Sequence, residues 1–422
     1  MEDNKNYDLW QGGAWEQPSH PVCNPLRLPA LEPQKRKRPR LAVKERGFPR
    51  WPFALLGCLA LIAVLAWGVD KLLPSISIMT SPPSHSTPSQ SYEVLTEPTI
   101  PRSPVGSGVT VDLLPPALPP GQEEPLTTTQ IYEQNVPSMV SIYTTSPHST
   151  GSGTGIILTQ DGYLLTNAHV ISGAHQVRVA LHNNQVLEAR LVGFDAEEDI
   201  AVLKVDADQL TPAKFGDSAA LRCGDPVAAL GDSLGYRSSI TEGIVSALDR
   251  EVKVDNSTMV LIQTSAPINF GNSGGALINQ YGQVVGITTI KIVTKDGSAE
   301  SLGFAIPSAR VKYVADKLIA GDVVRQGSFG FTVATLPVDG GGLELLYIEP
   351  RSDCFAKGIQ TGDILIRADG QDITCSQDLV RMKLTRGAGD TVELELLRNG
   401  KPYTVTVALI DTQILNKTEV AP

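Results

Sequence analysis

Short apolar runs separated by turn residues fill the middle of the chain, from about residue 139 to residue 307. Each run is only a few residues long, and polar residues or glycines lie between most of them. This length and spacing are typical of strands in an all-β barrel or sandwich, and they differ from the pattern of βαβ units. The clearest runs are "GTGIILT", "GYLLTNAHVI", "QVRVALH", "IAVLKV", "MVLIQT" and "QVVGITTI".

The pattern changes after residue 307. The segment "SARVKYVADKLIAG" has helical spacing and predicts a helix that ends at Gly321 as its C-cap. A smaller α+β region follows, with strands at "LELLYIE", "DILIRADG" and "TVELELLR". In that region "SQDLVRMKLTR" predicts a helix, with Ser376 as its N-cap.

One apolar run near the N-terminus is long enough to cross a membrane. The stretch from Trp51 to Val69 has no charged residue, and a helix of this length spans about 30 Å, one hydrocarbon core. The preceding segment "KRKRPRLAVKERGFPR" holds eight Lys or Arg and one Glu, which predicts a cytoplasmic N-terminus and an external C-terminus. A cleaved signal peptide is the alternative. Its n-region would be unusually long and no small-residue site follows, so we favour a single-pass transmembrane helix.

The composition fits two folded domains with additional segments. The chain has 422 residues, of which 41% are hydrophobic and 19% charged. The net charge of −10 argues against nucleic acid as a partner. Proline, serine and threonine dominate the stretch after the apolar run, as in an extended linker. The predicted divisions are a tail at 1–50, a membrane helix at 51–69, a linker at 70–125, a first domain at 126–322, a second at 326–410 and a tail at 411–422.

The five cysteines indicate no metal or redox motif, because no CxxC pair occurs. A disulfide between Cys354 and Cys375 is possible if this part of the chain faces an oxidising space. Two unrelated buried thiols are the favoured interpretation.

The segment "INFGNSGGAL" contains the first candidate for chemistry, Ser273. A serine nucleophile needs backbone N–H groups directed at the developing oxyanion. Gly271 allows the chain to turn its own N–H to the same side as that of Ser273. Gly274 and Gly275 leave room for a substrate backbone. A glycine–serine turn alone is more often structural than catalytic, so the hypothesis requires partners for Ser273.

A histidine and an aspartate supply those partners. His169 follows an apolar strand in "GYLLTNAHVIS", where its side chain can be held firmly. Asp199 stands immediately before the apolar run of "EEDIAVLKV", at the mouth of a buried strand. Each residue alone has an ordinary structural interpretation. Together with Ser273 they follow the order His, Asp, Ser within one all-β region, which is the order of the chymotrypsin-type double β-barrel.

At this point the sequence resembles the HtrA (Deg) family of serine proteases. "TNAHVI", "DIAVLKV" and "GNSGGAL" stand in the family's order, and "TEGIVSAL" and "LGFAIPSARVKYVADKLI" also match its pattern. The resemblance covers about residues 127–410. It implies a mainly β fold: a chymotrypsin-like double β-barrel protease domain followed by one α+β PDZ domain, here behind the transmembrane helix.

The resemblance also implies roles for particular residues. His169 is expected to act as the general base, Asp199 to orient it, and Ser273 to be acylated. The N–H groups of Gly271 and Ser273, with Asn272 between them, are expected to form the oxyanion hole. The family uses no metal or nucleotide, has trimeric building units, and cuts unfolded or damaged proteins, so the resemblance implies a homotrimer without a cofactor.

The second region is expected to bind the C-terminal carboxylate of a peptide. "GSFGF" stands where PDZ domains have their carboxylate-binding loop, so the expected contacts are the N–H groups of Phe329, Gly330 and Phe331. Leu379 and Met382 of the predicted helix are expected to face the ligand's last side chain. Strand alternation sends neighbours to opposite faces, so one of the two phenylalanines is expected to be a core residue.

Three departures from the family pattern leave cleavage specificity and activation open. Ser265 stands where the family usually has Asp, Asp232 where it has Asn, and Phe270 where Pro or another residue is common.

Two further functions stay as alternatives to broad protein quality control. One is a dedicated regulatory protease for a single membrane-linked signalling protein. The other is a PDZ-bearing chaperone or binding protein whose protease domain is idle.

Overall fold

The computed structural model describes residues 95–416, except residues 105, 107, 120, 122–123, 233–238, 255–256, 270 and 290–302. All described residues belong to one compact unit. The predicted transmembrane segment, residues 51–69, lies outside this range. Among the described helices, none combines the length and the apolar character that a membrane crossing requires.

Residues 95–104 and 108–116 form an N-terminal strap that packs against the barrels. Its backbone pairs with the chain at Ala174 and Leu191, and β1 (Leu113–Leu114) runs parallel to β8 (Phe215–Gly216), a short strand that pairs with the second barrel. Ile100 and Val111 are buried. The sequence predicts a linker here, and the structure differs because the strap buries these two side chains and satisfies its backbone on neighbouring strands.

The first barrel follows a short helix, α1 (Thr128–Asn135), whose N-cap Thr127 forms a capping box with Gln130. Six antiparallel strands close in the order β2-β3-β4-β7-β6-β5. Their inward side chains form a core in which Ile142, Leu164 and Leu203 are fully buried. The strands are β2 (Met139–Thr145), β3 (Thr150–Ile157), β4 (Tyr163–Thr166), β5 (Gln176–Ala180), β6 (Val186–Asp195) and β7 (Ile200–Val205).

The second barrel is a ring of six strands in the order β13-β12-β9-β10-β11-β14, in which β14 pairs back with β13. Helix α2 (Ser308–Ala320) packs against both barrels and ends at Gly321, whose φ of 80° confirms the predicted C-cap. The strands of this part are β8 (Phe215–Gly216), β9 (Pro226–Gly231), β10 (Ser239–Val254), β11 (Ser257–Thr264), β12 (Ala276–Asn279), β13 (Val284–Thr289) and β14 (Gly303–Pro307).

The second region has a hydrophobic core of its own. Its main sheet has the order β16-β17-β18-β20-β21, with β19 paired to β18, and a two-stranded pair joins β15 to β22. The strands are β15 (Gly327–Ser328), β16 (Phe331–Val333), β17 (Leu343–Ile348), β18 (Ile364–Ala368), β19 (Gln371–Asp372), β20 (Thr391–Arg398), β21 (Lys401–Ala408) and β22 (Ile410–Asp411). The helices are α3 (Asp353–Ala356), α4 (Ser376–Lys383) and α5 (Thr412–Asn416).

The predicted N-cap of α4 is wrong by one residue. Ser376 is the first helical residue, and Cys375 occupies the cap position. The Asp378 carboxylate accepts hydrogen bonds from the N–H groups of Thr374 and Cys375. It thereby provides an acceptor for backbone N–H groups at the start of the helix, which have no partner within the helix. Cys354 and Cys375 are both free thiols, which agrees with the favoured interpretation of two unrelated cysteines. Cys354 is buried as that interpretation expected, but Cys375 is only partly buried.

Candidate active site

His169 and Asp199 lie in direct contact between the ends of two strands of the first barrel. His169 begins a short 3₁₀ turn after β4, and Asp199 immediately precedes β7. The His169 Nδ1 atom lies 2.9 Å from both Asp199 carboxylate oxygens. A carboxylate only accepts hydrogen bonds, so Nδ1 is the donor and Nε2 is the basic nitrogen of the neutral ring.

Asp199 is held by contacts from several sides. Its carboxylate also accepts hydrogen bonds from the His169 N–H (3.0 Å) and from Thr289 Oγ1 (2.9 Å). Its carbonyl accepts one from Asn167 Nδ2 (2.9 Å). The residue is fully buried and has a φ of 55°, which is unfavourable for a side chain other than glycine. The surrounding bonds therefore fix a conformation that the residue would not favour alone.

Ser273 lies in a turn whose carbonyl groups are anchored by two threonines. Thr154 Oγ1 donates to the Gly271 carbonyl (2.7 Å), and the Thr154 N–H donates to the Ser273 carbonyl (2.9 Å). Thr288 Oγ1 donates to the Asn272 carbonyl at 2.6 Å. The Ser273 side of the site is thereby held on β3 and β13.

The residue after Ser273, Gly274, has no room for a side chain. Its φ is 80°, and a Cβ atom there would lie 2.1 Å from the Thr154 carbonyl oxygen and 2.4 Å from Thr166 Oγ1. No side chain fits this space. The close packing lets the Ser273 turn approach the strand that leads to His169.

The same threonines bring the three predicted residues into one neighbourhood. Thr166 Oγ1 donates to the Thr154 carbonyl at 2.7 Å, which ties the segment before His169 to the strand that holds Ser273. Thr288 and Thr289 are adjacent in β13, and they contact the Ser273 turn and Asp199 respectively. The first barrel therefore contributes His169 and Asp199 to the site, and the second barrel contributes the turn that carries Ser273.

The predicted oxyanion hole stays a prediction. The Asn272 N–H donates to the Asn269 carbonyl at 3.0 Å, so this group is engaged within the turn. Gly271 has a φ of 98°, as the predicted turn requires. Phe270 lies outside the described residues. The Gly271 and Ser273 N–H groups remain the predicted donors.

The two other departures from the family pattern that can be described lie near the scaffold of the site. Asp232 is buried, and its N–H donates to Thr154 Oγ1 at 2.7 Å. Ser265 Oγ accepts a hydrogen bond from the Ile244 N–H at 3.0 Å. Within the described ranges, no cluster of three or more His, Cys, Asp or Glu side chains is arranged to hold a metal ion.

Acidic residues crowd the turn before Asp199. Asp195 Oδ1 accepts hydrogen bonds from the N–H groups of Glu197 (3.0 Å) and Glu198 (2.8 Å). Burial, together with the charges of Glu198 and Glu197, raises the pKa of Asp195 to about 6. Glu198 is buried and forms a two-point ion pair with Arg310 of α2.

Sequence reasoning missed Glu198, Arg310 and the four threonines. The threonines lie in ordinary strand-forming stretches such as "GTGIILT" and "QVVGITTI", where nothing distinguishes them from other β-branched residues. Glu198 and Arg310 are 112 residues apart, and each has the sequence context of a solvent-exposed charge.

The predicted carboxylate-binding loop of the second region lies between β15 and β16. Gly330 has a φ of 74°, and its N–H donates to Ser328 Oγ at 3.2 Å. Phe329 is a core residue, as expected of one of the pair, and its carbonyl accepts from Cys354 Sγ at 3.1 Å. The Phe329 and Phe331 rings stack with centroids 5.4 Å apart, so both side chains lie on one side of the chain. The expectation that alternation would separate them is wrong, because residues two positions apart in an extended segment point to the same face.

The helical side of the expected peptide groove is formed by buried residues. Leu379 and Met382 are both buried in the core of the second region. Strand β16 ends the strand order of its sheet and pairs there with β17 alone among the described strands. Leu379 as a ligand contact stays a prediction, whereas the edge of β16 is suited to pairing with an added peptide strand.

Comparisons with known proteins match both folded parts. The model of a trypsin-like peptidase domain matches residues 153–287, and that of a PDZ domain matches residues 338–409. A probable periplasmic serine endoprotease, DegP-like, from Halomonas elongata is 39% identical over 268 residues, which cover 61% of this chain and 56% of the relative. The chain thus spans little more than half of that relative's length.

Two further comparisons cover most of the matched protein. Serine endoprotease DegS from Haemophilus influenzae is 36% identical over 259 residues, covering 61% of this chain and 76% of DegS. The solved structure of the HtrA-type protease AlgW with a tripeptide is 31% identical, with a TM-score of 0.55, and the match covers 68% of this chain and 97% of AlgW. With both domain types in sequence and these matches, the chain belongs to the HtrA family of trypsin-like serine proteases.

Proposed function

We propose that this chain is a membrane-anchored, extracytoplasmic serine endopeptidase that cleaves unfolded or damaged proteins in envelope quality control. The observation that carries the catalytic part is the buried Asp199 carboxylate, which accepts hydrogen bonds from His169 and Thr289 beside the Ser273 turn. The periplasmic assignment in the name of the Halomonas relative supports an extracytoplasmic position.

The proposed chemistry needs only side chains and backbone groups of the chain. Ser273 Oγ attacks the scissile carbonyl carbon while His169 Nε2 takes the hydroxyl proton. Asp199 holds the imidazole ring and stabilises the charge that it gains. His169 then returns the proton to the leaving amine as the C–N bond breaks, and water releases the acyl group by the same path. The N–H groups of Gly271 and Ser273 are the proposed donors to the oxyanion.

Hydrolysis of casein by purified full-length variants tests the catalytic proposal. We expect Ser273→Ala to keep its fold and to lose turnover by a factor on the order of 10⁶, as removal of a triad nucleophile does. Ser149→Ala is the matched control, because this serine is exposed and its loss removes only a surface hydroxyl. Equal hydrolysis by wild type and Ser273→Ala contradicts the assignment.

The membrane anchor needs a separate experiment. We expect the full-length protein to stay with membranes during alkaline carbonate extraction, and deletion of residues 51–69 to release it. External protease on intact cells is expected to spare residues 1–50, because the basic segment at residues 35–50 retains the N-terminus inside. Removal of residues 1–50 by external protease contradicts the proposed orientation.

The second region is proposed to bind peptide C-termini. An added peptide strand would pair with β16 and place its carboxylate at the loop that contains Gly330. Such binding could tether a substrate or raise the activity of the first domain. Activation requires that the peptide bind the active arrangement more tightly than the inactive one. A peptide that speeds hydrolysis of a short chromogenic substrate supports activation, whereas an unchanged rate supports tethering.

A further inference from the structure

Arg310 connects the first domain to the second through its guanidinium group. Its Nε and Nη2 atoms donate to the two carboxylate oxygens of Glu198, at 2.9 and 2.5 Å. The remaining nitrogen, Nη1, donates to the carbonyls of Lys383 (3.1 Å) and Arg386 (2.8 Å). Arg310 lies in α2 of the first domain, whereas the two carbonyls belong to the second: Lys383 is the last residue of α4, and Arg386 lies in the turn that follows it. One side chain therefore contacts both domains.

Arg310 and Glu198 are both buried, so their ion pair depends on good hydrogen-bond geometry. Arg310 is 7% exposed and Glu198 is 4% exposed. Burial alone would lower the pKa of Arg310, but the hydrogen bonds and charge of Glu198 outweigh it and raise the pKa. A buried ion pair is held only by good geometry and by partners for its remaining hydrogen-bonding groups. The two carbonyls of the second domain supply partners for the guanidinium.

The helix end is a suitable place for this cation. The last carbonyls of a helix have no partner within the helix, and the negative end of its dipole favours a positive charge. Tyr313, one turn after Arg310 in α2, contacts the same part of the second domain. Its hydroxyl donates to Asp390 Oδ2 at 2.9 Å, and the same oxygen accepts the Gly387 N–H at 2.8 Å. The Arg310 guanidinium stacks over the Tyr313 ring at 5.0 Å.

The opposite end of the connection is the turn that carries Asp199. Glu198 immediately precedes Asp199, and its N–H is bound by Asp195. Asp199 itself has a φ of 55°, a conformation that persists in a non-glycine residue only where the surroundings impose it. Because the Glu198 side chain is fixed by Arg310 and its backbone by Asp195, the peptide that enters Asp199 has little freedom to move.

We propose that Arg310 is a positioning residue that ties the end of α4 to the Glu198–Asp199 turn, so that docking of the second domain holds Asp199 in place beside His169. The inference rests on the proposed function. It identifies a specific link between domains that the sequence does not reveal. A displacement of about 1 Å in such a site can lower turnover about 100-fold, so a loose turn has a measurable cost.

The test replaces both members of the ion pair by apolar residues, Glu198→Met/Arg310→Met, in the full-length protein. A buried ion pair exchanged for apolar side chains of similar volume commonly leaves stability unchanged or increased, and the fold is therefore expected to persist. We expect kcat for a short peptide to fall about 10–100-fold with KM unchanged, because substrate binding is intact and only the orientation of His169 is lost.

Two further readouts separate positioning from a general structural role. The low-field proton resonance of the His169–Asp199 hydrogen bond should broaden or disappear in the double variant. Amide hydrogen exchange should become faster at both Glu198 and Ala388, whose N–H groups are bound to Asp195 Oδ1 and to the Arg325 carbonyl in the intact structure. Faster exchange at Glu198 alone contradicts the tie between the domains.

Arg381→Ala is the matched control. Its half-exposed side chain forms an ion pair with the buried Asp249 carboxylate across the same interface, at 2.8 Å. Arg381→Ala removes this ion pair but leaves the pair between Arg310 and Glu198 in place, so kcat and the proton resonance should match wild type. If the double variant does not fold, Arg310→Lys replaces it. One ammonium group cannot hold the two carboxylate oxygens and both carbonyls, so a smaller fall in kcat is expected.

The outcomes distinguish this inference from the proposed function. Wild-type kcat and an unchanged proton resonance in a folded double variant, or in folded Arg310→Lys when it is used, overturn the positioning role. In both cases Ser273→Ala still abolishes hydrolysis if the proposed function holds. Equal hydrolysis by wild type and Ser273→Ala contradicts the proposed function instead, and the exchange and resonance measurements then still test the tie.

Discussion

At the level of single residues, Asp199 shows how a site can depend on contacts that are distant in sequence. The sequence placed this aspartate before a buried strand, and the order His, Asp, Ser together with the family resemblance led to the pairing with His169. The hydrogen bonds from Asn167 and Thr289 were not predictable, because they join residues 32 and 90 positions away from Asp199. Local patterns report strand and turn preferences, whereas such bonds depend on how distant strands pack, within the first barrel for Asn167 and between the two barrels for Thr289.

Thr289 should contribute directly to the orientation of Asp199. Thr289→Val removes the hydroxyl that donates to Oδ2 but keeps the β-branched shape. A hydrogen bond to a charged group contributes about 1.5–3 kcal/mol, so we expect kcat for a short peptide to fall about tenfold or more, with KM unchanged. Thr289→Ser, which keeps the donor, should retain most of the activity. Equal rates for the Val and Ser variants would show that the hydroxyl has no such role.

Asp195 should make stability depend on pH in the direction opposite to an ordinary surface carboxylate. Its folded-state pKa of about 6 lies above its ordinary value of 3.8. The folded state therefore binds the proton more tightly, and this contribution is present below about pH 4 and is lost as pH rises through 6. Asp195→Asn keeps the Oδ1 acceptor without the charge. We expect it to increase the free energy of unfolding at pH 8 by at most about 3 kcal/mol, with little change at pH 4.

Urea denaturation at pH 4 and pH 8 measures this effect, with Asp206→Asn as the contrasting variant. Asp206 is exposed and pairs with Arg190, whose hydrogen bonds lower the pKa of Asp206. Its contribution to stability is present above its ordinary pKa and is lost as pH falls, so Asp206→Asn should destabilise at pH 8. A destabilising Asp195→Asn at pH 8 would contradict the buried-charge explanation.

At the level of elements, the sequence predicted those with a regular pattern and missed those held by outside partners. The helix ending at Gly321 and the β-rich middle of the chain followed from periodicity and a capping residue. The strap at residues 95–104 and 108–116 shows no hydrophobic period. It is held by backbone hydrogen bonds to Leu191 and Ala174 of the first barrel, which its own sequence does not indicate. Its proline-rich composition indicated a linker, and its buried residues Pro98, Ile100 and Val111, together with these backbone bonds, distinguish it from one.

The loop around Gly330 offers an element-level test of the second domain. A Cβ atom at Gly330 would lie 2.3 Å from Ser352 Cβ, and the residue has a φ of 74°. Gly330→Ala should therefore displace the loop and weaken binding of a peptide with a free C-terminal carboxylate by about tenfold or more, the equivalent of about 1.4 kcal/mol. Fluorescence anisotropy with a labelled apolar C-terminal peptide measures the affinity.

Gly358→Ala separates the clash from backbone strain. Gly358 has a φ of 78°, close to that of Gly330, but no atom lies within 4 Å of a Cβ built there. Both variants carry the cost of a left-handed residue, roughly 1–2 kcal/mol, and only Gly330→Ala adds the contact with Ser352. Equal affinity in the two variants, or equal binding of an amidated peptide by wild type, would contradict the proposed carboxylate loop.

At the level of the whole molecule, the described part of the chain combines separate hydrophobic cores with a polar junction. The core of the second domain includes Leu394 and shares no residue with the barrel cores, one of which contains Leu203. The domains meet through the buried Arg310–Glu198 pair, the partly exposed pairs Arg381–Asp249 and Lys383–Glu251, and backbone bonds such as Ala388 to Arg325. A polar interface of this kind can fix how the two domains are oriented, but it contributes little free energy that would make them unfold together.

Separate cores predict two calorimetric transitions that respond to different substitutions. Leu394→Ala leaves a cavity in a fully buried position of the second domain and should cost about 2–5 kcal/mol. We expect it to lower the temperature of one transition and to leave the other near its wild-type value. Leu203→Ala, also fully buried but in the first barrel, should do the reverse. Differential scanning calorimetry of the two variants measures both temperatures.

Peptide hydrolysis links these transitions to the interface. Below both transition temperatures, Leu394→Ala should cleave a short peptide at the wild-type rate, because α4 is still folded and its carbonyls still hold Arg310. Between the transitions the second domain is unfolded, so Arg310 loses Lys383 and Arg386 as partners and the rate should fall while the barrels remain intact. A rate that follows only the barrel transition would show that the active site is independent of the second domain. A common shift of both transitions by either substitution would show that the two cores unfold as one unit.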